Sequence, residues 1–162
     1  MKKNNLFLLI LCLFCNLANG LAQTKVKLNG RTVKLESSDI INVKKSSDAP
    51  QDDDAMKGIM RALMGAENRP EELDVKFEMN DEPVEDGLFI FGIKAKEAKA
   101  LTIEIFDEEG FEMSVSNPIN IIKGKNYKAL DVETLEDGKY FFLLTDGKGK
   151  ELVREITIAH KK

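Results

Sequence analysis

From residue 72 to residue 158, apolar and polar residues alternate, and turn-forming residues cut the alternation at short intervals. A period of two puts successive side chains on opposite faces of a strand, so each segment can bury one face only against a second layer. Leu73, Val75, Phe77 and Met79 fall on one face, with Asp74, Lys76 and Glu78 on the other. Phe89, Phe91, Ile93 and Ala95 share a face opposite Leu88 and Ile90, and Leu101, Ile103 and Ile105 alternate with Thr102 and Glu104. The spacing predicts a strand through Phe111, Met113 and Val115, and another through Leu130 and Val132. It also predicts a short edge piece over 118–122, because Pro118 cannot donate to a central ladder. The last two strands flank Asp146-Gly147-Lys148-Gly149. Tyr140, Phe142 and Leu144 occupy one face of the first and Phe141 and Leu143 the other, which predicts cover on both sides. In its partner Leu152, Ile156 and Ile158 point inward, with Arg154 interrupting.

About seven or eight short strands separated by turn residues predict a mainly β fold. The architecture expected is an antiparallel immunoglobulin-like β-sandwich over 71–162, with a small barrel as the rival. No crossover helices separate the strands, which argues against a parallel α/β sheet.

Upstream, residues 23–45 read as an N-terminal β-hairpin. Val26 and Leu28 lead into Asn29-Gly30, and Val33 and Leu35 return. Asn-Gly favours the positive φ values of a tight hairpin turn. Ile40, Ile41 and Val43 add a short strand. Residues 46–70 read as a polar linker and one short accessory amphipathic helix. Met56, Ile59, Met60, Leu63 and Met64 form one stripe at helical spacing, and Asp52, Asp53 and Asp54 sit where a helix start accepts carboxylates. The stripe either packs on the domain or serves as the chain's candidate partner-binding surface, since methionines make an adaptable apolar face.

Residues 1–22 have the layout of a signal peptide: Lys2 and Lys3, an apolar run over 6–15, then Ala18, Gly20 and Ala22. Cleavage is expected after Ala22, with Gly20 as the alternative, placing the protein in the periplasm or outside the cell. No integral membrane span is expected after cleavage. The leader carries both cysteines, Cys12 and Cys15, so neither a disulfide nor a thiol site is expected in the mature protein. Loss of Lys2 and Lys3 lowers the 24 basic residues to 22 against 28 acidic ones, and the net charge from −4 to −6. That balance argues against nucleic acid as a partner.

The segments LTIEIFDEEGFEM and YKALDVETLEDGKYFFLLTDGKGKELVREITI resemble the C-terminal sorting domains of type IX secretion cargo. The likeness covers residues 88–162. The residues that carry it are Asp107, Gly110, Leu135, Gly138, Tyr140, Gly147, Lys161 and Lys162. Small secreted immunoglobulin-like proteins share much of the pattern. The resemblance implies a β-rich module, and for a sorting domain it implies contact with secretion machinery. Three of the motif residues also have a structural reading. Leu135 plugs the core, Gly138 gives backbone freedom where the strand begins, and Tyr140 sends its hydroxyl to a nearby carbonyl.

The residues give little support to catalysis. His160 is the lone histidine and is expected in a solvated basic tail. Without cysteine or a second histidine no transition-metal site is expected, and Asp52, Asp53 and Asp54 lack the ligand alternation of a calcium loop. Glu82, Glu85 and Asp86 read as a solvated turn before Gly87. The expectation is a secreted or periplasmic non-enzymatic module without cofactor, binding protein or glycan or serving a structural role. The alternative is a type IX cargo whose C-terminal domain is its sorting signal.

Overall fold

The computed structural model of the protein describes residues 23–43, 72–108, 110 and 117–161. The expected leader over 1–22, the helix bearing Met56, Ile59, Met60, Leu63 and Met64, the strand through Phe111, Met113 and Val115, and Lys162 lie outside these residues. The described chain is mainly β. Its strands are β1 (Thr24–Leu28), β2 (Arg31–Leu35), β3 (Ile40–Asn42), β4 (Val75–Met79), β5 (Leu88–Ala95), β6 (Lys99–Asp107), β7 (Asn117–Ile121), β8 (Gly124–Asp131), β9 (Gly138–Asp146) and β10 (Glu151–Ile158). They form two four-stranded sheets, in the orders β10-β9-β6-β7 and β3-β8-β5-β4, and a separate β1-β2 hairpin.

One core unites the inner faces of the two large sheets. Phe89 and Phe91 of β5 share it with Leu101, Ile103 and Ile105 of β6 and with Phe142 of β9. The Phe142 ring lies 5.1 Å from Phe91, 5.3 Å from Phe89 and 5.5 Å from Phe77. Such offset and tilted contacts suit the ring quadrupole, and their buried area is a large part of the driving force. β9 is buried on both faces over 140–144, because Phe106, Phe141 and Leu143 form a second cluster on its outer side. Pro118 sits on β7 at the edge of its sheet, where its missing N–H costs nothing.

Residues 72–84 staple the two sheets along one side. Glu72 bridges to Glu151 at the start of β10, the chain crosses to pair as β4 with β5, and Val84 then bridges to Ile158 at the end of β10. Arg154 does not interrupt the core. Its guanidinium lies 5.8 Å from the centre of the Phe77 ring, in the gap between β4 and β10, a favourable cation–π placement.

The opposite side shows a departure from the expected antiparallel pattern. β3 runs parallel to β8, with Ile41 beside Leu130. A single 3-10 turn over Ser37–Asp39 precedes β3, in which Glu36 N–H donates to Asp39 Oδ2 and Asp39 N–H donates to the Glu36 carbonyl. No hairpin joins β3 to β8, so turn geometry leaves their direction free. β8 is also longer than its apolar residues indicate, starting at Gly124. Lys128 hides this extent. Its register partner is Phe91, so it faces inward, where its ammonium meets Asp39 Oδ1 at 2.7 Å. An inward charge with a fixed partner discourages edge-to-edge pairing.

The β1-β2 hairpin turns at Asn29 and Gly30, both with positive φ, as that dipeptide predicts. β1 lies against β5 and β2 against β8. The inner face of that sheet is filled by the core, so the hairpin covers part of the outer face. Leu28, Val33, Leu35 and Ala129 are buried accordingly. Asn80 holds the turn: Asn29 N–H donates to its Oδ1 at 2.7 Å, and its Nδ2 donates to the Lys27 carbonyl.

Candidate functional site

Strand directions place most of the motif residues at one end of the molecule. β6 ends and β9 begins there, with Asp107 directly opposite Tyr140. After Asp107 the chain turns tightly: Gly110 N–H donates to the Asp107 carbonyl, and Gly110 has φ +86°, a value that favours glycine. Leu135 is 3 % exposed and seals this end of the core. Lys161 lies at the same end, because β10 finishes beside Gly138, where β9 starts. Gly147 lies apart, in the β9–β10 turn at the opposite end.

The loop between β8 and β9 is built around Tyr140. Its ring is buried and its hydroxyl donates to the Glu136 carbonyl at 2.9 Å, four residues upstream. Burial pushes the phenol pKa above its usual value, and the negative charges of Glu136 and Asp107 add to this. Leu135 N–H donates to the Val132 carbonyl, and Val132 N–H to the Gly87 carbonyl, which joins this loop to the one before β5. Gly87 has φ +69°, and a Cβ there would meet Glu133 Cβ at 3.2 Å. Gly138 behaves differently from expectation. It has no positive φ and stands in ladder register opposite Ile158, with only the Tyr140 ring near the place of a Cβ.

The tail is pinned, which corrects one expectation. His160 is not in a solvated end: its backbone N–H and its Nδ1 both meet Asp137 Oδ1 at 2.8 Å. Glu82, Glu85 and Asp86 are exposed, as expected of a solvated turn, and the turn is bonded to the tail. Ala159 N–H donates to the Val84 carbonyl and Lys161 N–H to the Glu85 carbonyl. The Lys161 ammonium reaches Glu85 Oε2 at 2.9 Å and Asp86 Oδ1 at 3.3 Å. Hydrogen bonds to these two carboxylates hold the Lys161 pKa above its usual value. No sequence signal links Asp86 to Lys161, because 75 residues separate them.

This end is strongly acidic, carrying Glu82, Glu85, Asp86, Glu133, Glu136 and Asp137 around the tail. Beside it a groove of about 570 Å³ runs between β1 and the start of β5, lined by Lys25, Lys27, Glu82, Pro83, Ile90 and Lys161 among others. Among the described residues no group of three or more histidine, cysteine, aspartate or glutamate side chains is placed to hold a metal ion. What the arrangement provides is a rigid, charged surface whose tail and loops are held by one another.

At the opposite end, Asp146 organises the Gly147-bearing turn. Its Oδ1 accepts the backbone N–H groups of Lys148 and Lys150 at 2.9 and 3.0 Å. Burial pushes its pKa up, but these two bonds and nearby lysines outweigh that and hold it below the usual carboxylate value. Gly149, at φ +79°, rather than Gly147, takes the left-handed position. Gly147 is therefore a turn residue without contact to the Tyr140 end.

No curated protein matches the chain. Residues 82–159 match a family model described as a secretion system C-terminal sorting domain. The matched span begins in the loop that pins the tail and ends one residue before His160, so it contains the whole Tyr140 loop and both strands of the final hairpin. Residues 82–159 are thus similar to a secretion system C-terminal sorting domain, the likeness spanning a little under half of the chain.

Proposed function

We propose that this protein is a cargo of the type IX secretion pathway and that its C-terminal β-domain is the sorting signal. The family match over 82–159 is the observation that carries the reading. The surface offered to the export machinery is the acidic end, where Asp107, Gly110, Leu135, Tyr140 and Lys161 converge on the mutually pinned loops and tail. A folded address of this kind loses little entropy on recognition, because the loops are already fixed.

The finer architecture in this reading is an immunoglobulin-like sandwich. The Tyr140 hydroxyl bonded to a carbonyl four residues upstream favours it, being the arrangement of a tyrosine corner. The signal peptide over 1–22 delivers the chain to the periplasm, and the sorting domain takes it outside. The protein works there without catalysis or cofactor, and the site is a recognition surface. The test is fractionation of the tagged protein in a bacterium with the pathway intact and in the same strain with the outer-membrane translocon deleted. The proposal expects the protein in the medium or on the surface of the first and in the periplasm of the second. Equal export from both strains would refute it.

A further inference from the structure

The outer face of the β3-β8-β5-β4 sheet carries a charge arrangement that the sorting role does not use. Lys76 on β4 stands directly opposite Lys94 on β5, and Lys94 directly opposite Lys125 on β8. All three are exposed and point away from the core, since their strand neighbours Phe77 and Ile93 point into it. None has an ion-pair partner among the described residues. The hairpin that covers the rest of this face repeats the pattern. Lys25 pairs with Lys34, and both project outward with Lys27, because Val26 and Val33 face the sheet. Like charges directly opposite each other destabilise a sheet, and here three such pairings lie on one side of a protein whose net charge is −4. A groove of about 260 Å³ opens among Lys76, Lys94 and Lys125, with Glu78 as its one acidic wall.

An apolar residue stands at the rim. Ile122, 67 % exposed, is the exposed large hydrophobic side chain among the described residues. It sits in the β7–β8 turn, followed by Lys123 and Lys125. Its place is fixed: Ile122 N–H donates to Asn126 Oδ1 at 2.8 Å, and Asn126 Nδ2 donates to the Ile122 carbonyl at 2.9 Å. A broad cationic face with long flexible stems and a rigid apolar tip at its edge matches a planar anionic surface with a greasy layer beneath it.

We propose that the face bearing Lys25, Lys34, Lys76, Lys94 and Lys125 docks the protein on an anionic lipid bilayer, with Ile122 entering below the headgroups. The lysines spread across two stacked layers rather than around a deep cleft, and the half-buried Tyr127 is the one aromatic side chain on the exposed part of the sheet, so a stacked sugar or base finds little platform. Lys25 shares a groove with Glu82, Glu85 and Asp86. Lys94, with Lys125 beside it, stands about 20 Å along β5 from Leu88 at the acidic end. Electrostatic attraction fades beyond about 10 Å, so the acidic loops do not oppose docking there.

The test is co-sedimentation of the purified mature protein, residues 23–162, with vesicles of phosphatidylcholine mixed with phosphatidylglycerol, against phosphatidylcholine alone, at low and high salt. The expected result is binding to the mixed vesicles only, weakened by salt. Lys94→Glu is expected to lower binding by about 25-fold, since each unit of charge near the surface is worth about fivefold. The same variant is expected to raise Tm by about 2–4 °C, because it turns two repulsive cross-strand pairs into attractive ones. Opposite signs in binding and stability separate a docking role from a structural one. No binding to the mixed vesicles, or binding unchanged in a folded Lys94→Glu protein, would overturn the proposal. Salt-sensitive binding to soluble alginate with none to vesicles would also overturn it, pointing to an anionic polysaccharide. Ile122→Ser is expected to weaken binding at high salt more than at low salt, and an equal effect at both would remove the apolar tip from the account.

Discussion

Cutting the chain at the start of the family match tests how the fold is built. A fragment of residues 82–162 keeps the matched span but loses β3 and β4, which are two of the four strands in the second sheet. It also loses Val43 and Leu73, both buried, and Ile41, Val75, Phe77 and Met79, which pack half-buried on the core. At about 1.5–3 kcal/mol for a fully buried side chain and roughly half that for the others, the loss is about 6–12 kcal/mol. This counts the shared core alone, leaving aside the hairpin's buried Leu28, Val33 and Leu35, and for those core residues it is an upper range, because unfolded chains already bury some apolar surface. It still rivals the whole stability of an ordinary domain, about 5–15 kcal/mol. The fragment is therefore expected to lack a cooperative urea transition and to show poorly dispersed amide signals, whereas a chain of residues 23–162 shows both a transition and dispersion. A fragment that unfolds cooperatively at the midpoint of the longer chain would refute the idea that one core spans the matched and unmatched parts.

Tyr140→Phe removes the hydroxyl bonded to Glu136 and is expected to cost about 1 kcal/mol in urea unfolding. In the native protein the raised Tyr140 pKa means that the folded state holds its proton more tightly than the unfolded state. The unfolded state thus binds fewer protons above the ordinary tyrosine pKa, so the stability from Tyr140 is complete below that value and falls as pH rises through the folded value. The phenylalanine variant is expected to lose this part of the alkaline decline, read from denaturation midpoints across pH. Asp39→Ala strands Lys128, whose side chain is 15 % exposed, and is expected to cost about 1–3 kcal/mol, with Asp39→Ala/Lys128→Met recovering much of it.

The residues reveal the fold most clearly where local chemistry decides it. Alternation around Phe89, Phe91 and Phe142 specifies the core faces, Asn29-Gly30 specifies a hairpin, and Tyr140 with Leu135 specifies a sealed loop, because each signal is complete within a few residues. The hidden parts depend on distant partners. Lys125 and Lys128 make the first half of β8 look like a loop, and only Asp39, 89 residues away, explains the inward Lys128. The parallel β3–β8 pairing is invisible for the same reason, since no turn connects the two strands. Basic tails are commonly solvated, so His160 and Lys161 read as free until Asp137, Glu85 and Asp86 are placed beside them. The lysine pairings of the outer face are likewise a product of register: Lys76, Lys94 and Lys125 are unremarkable in the linear chain and adjacent only in the sheet.

Delivery of a passenger tests the central claim most directly. A stable reporter placed between the signal peptide and residue 23, in a bacterium with a working type IX pathway, is to be assayed in medium, surface and periplasmic fractions. The account predicts that the reporter reaches the surface or medium when residues 23–162 follow it and stays in the periplasm when they are absent. A folded, intact fusion that remains in the periplasm would contradict it.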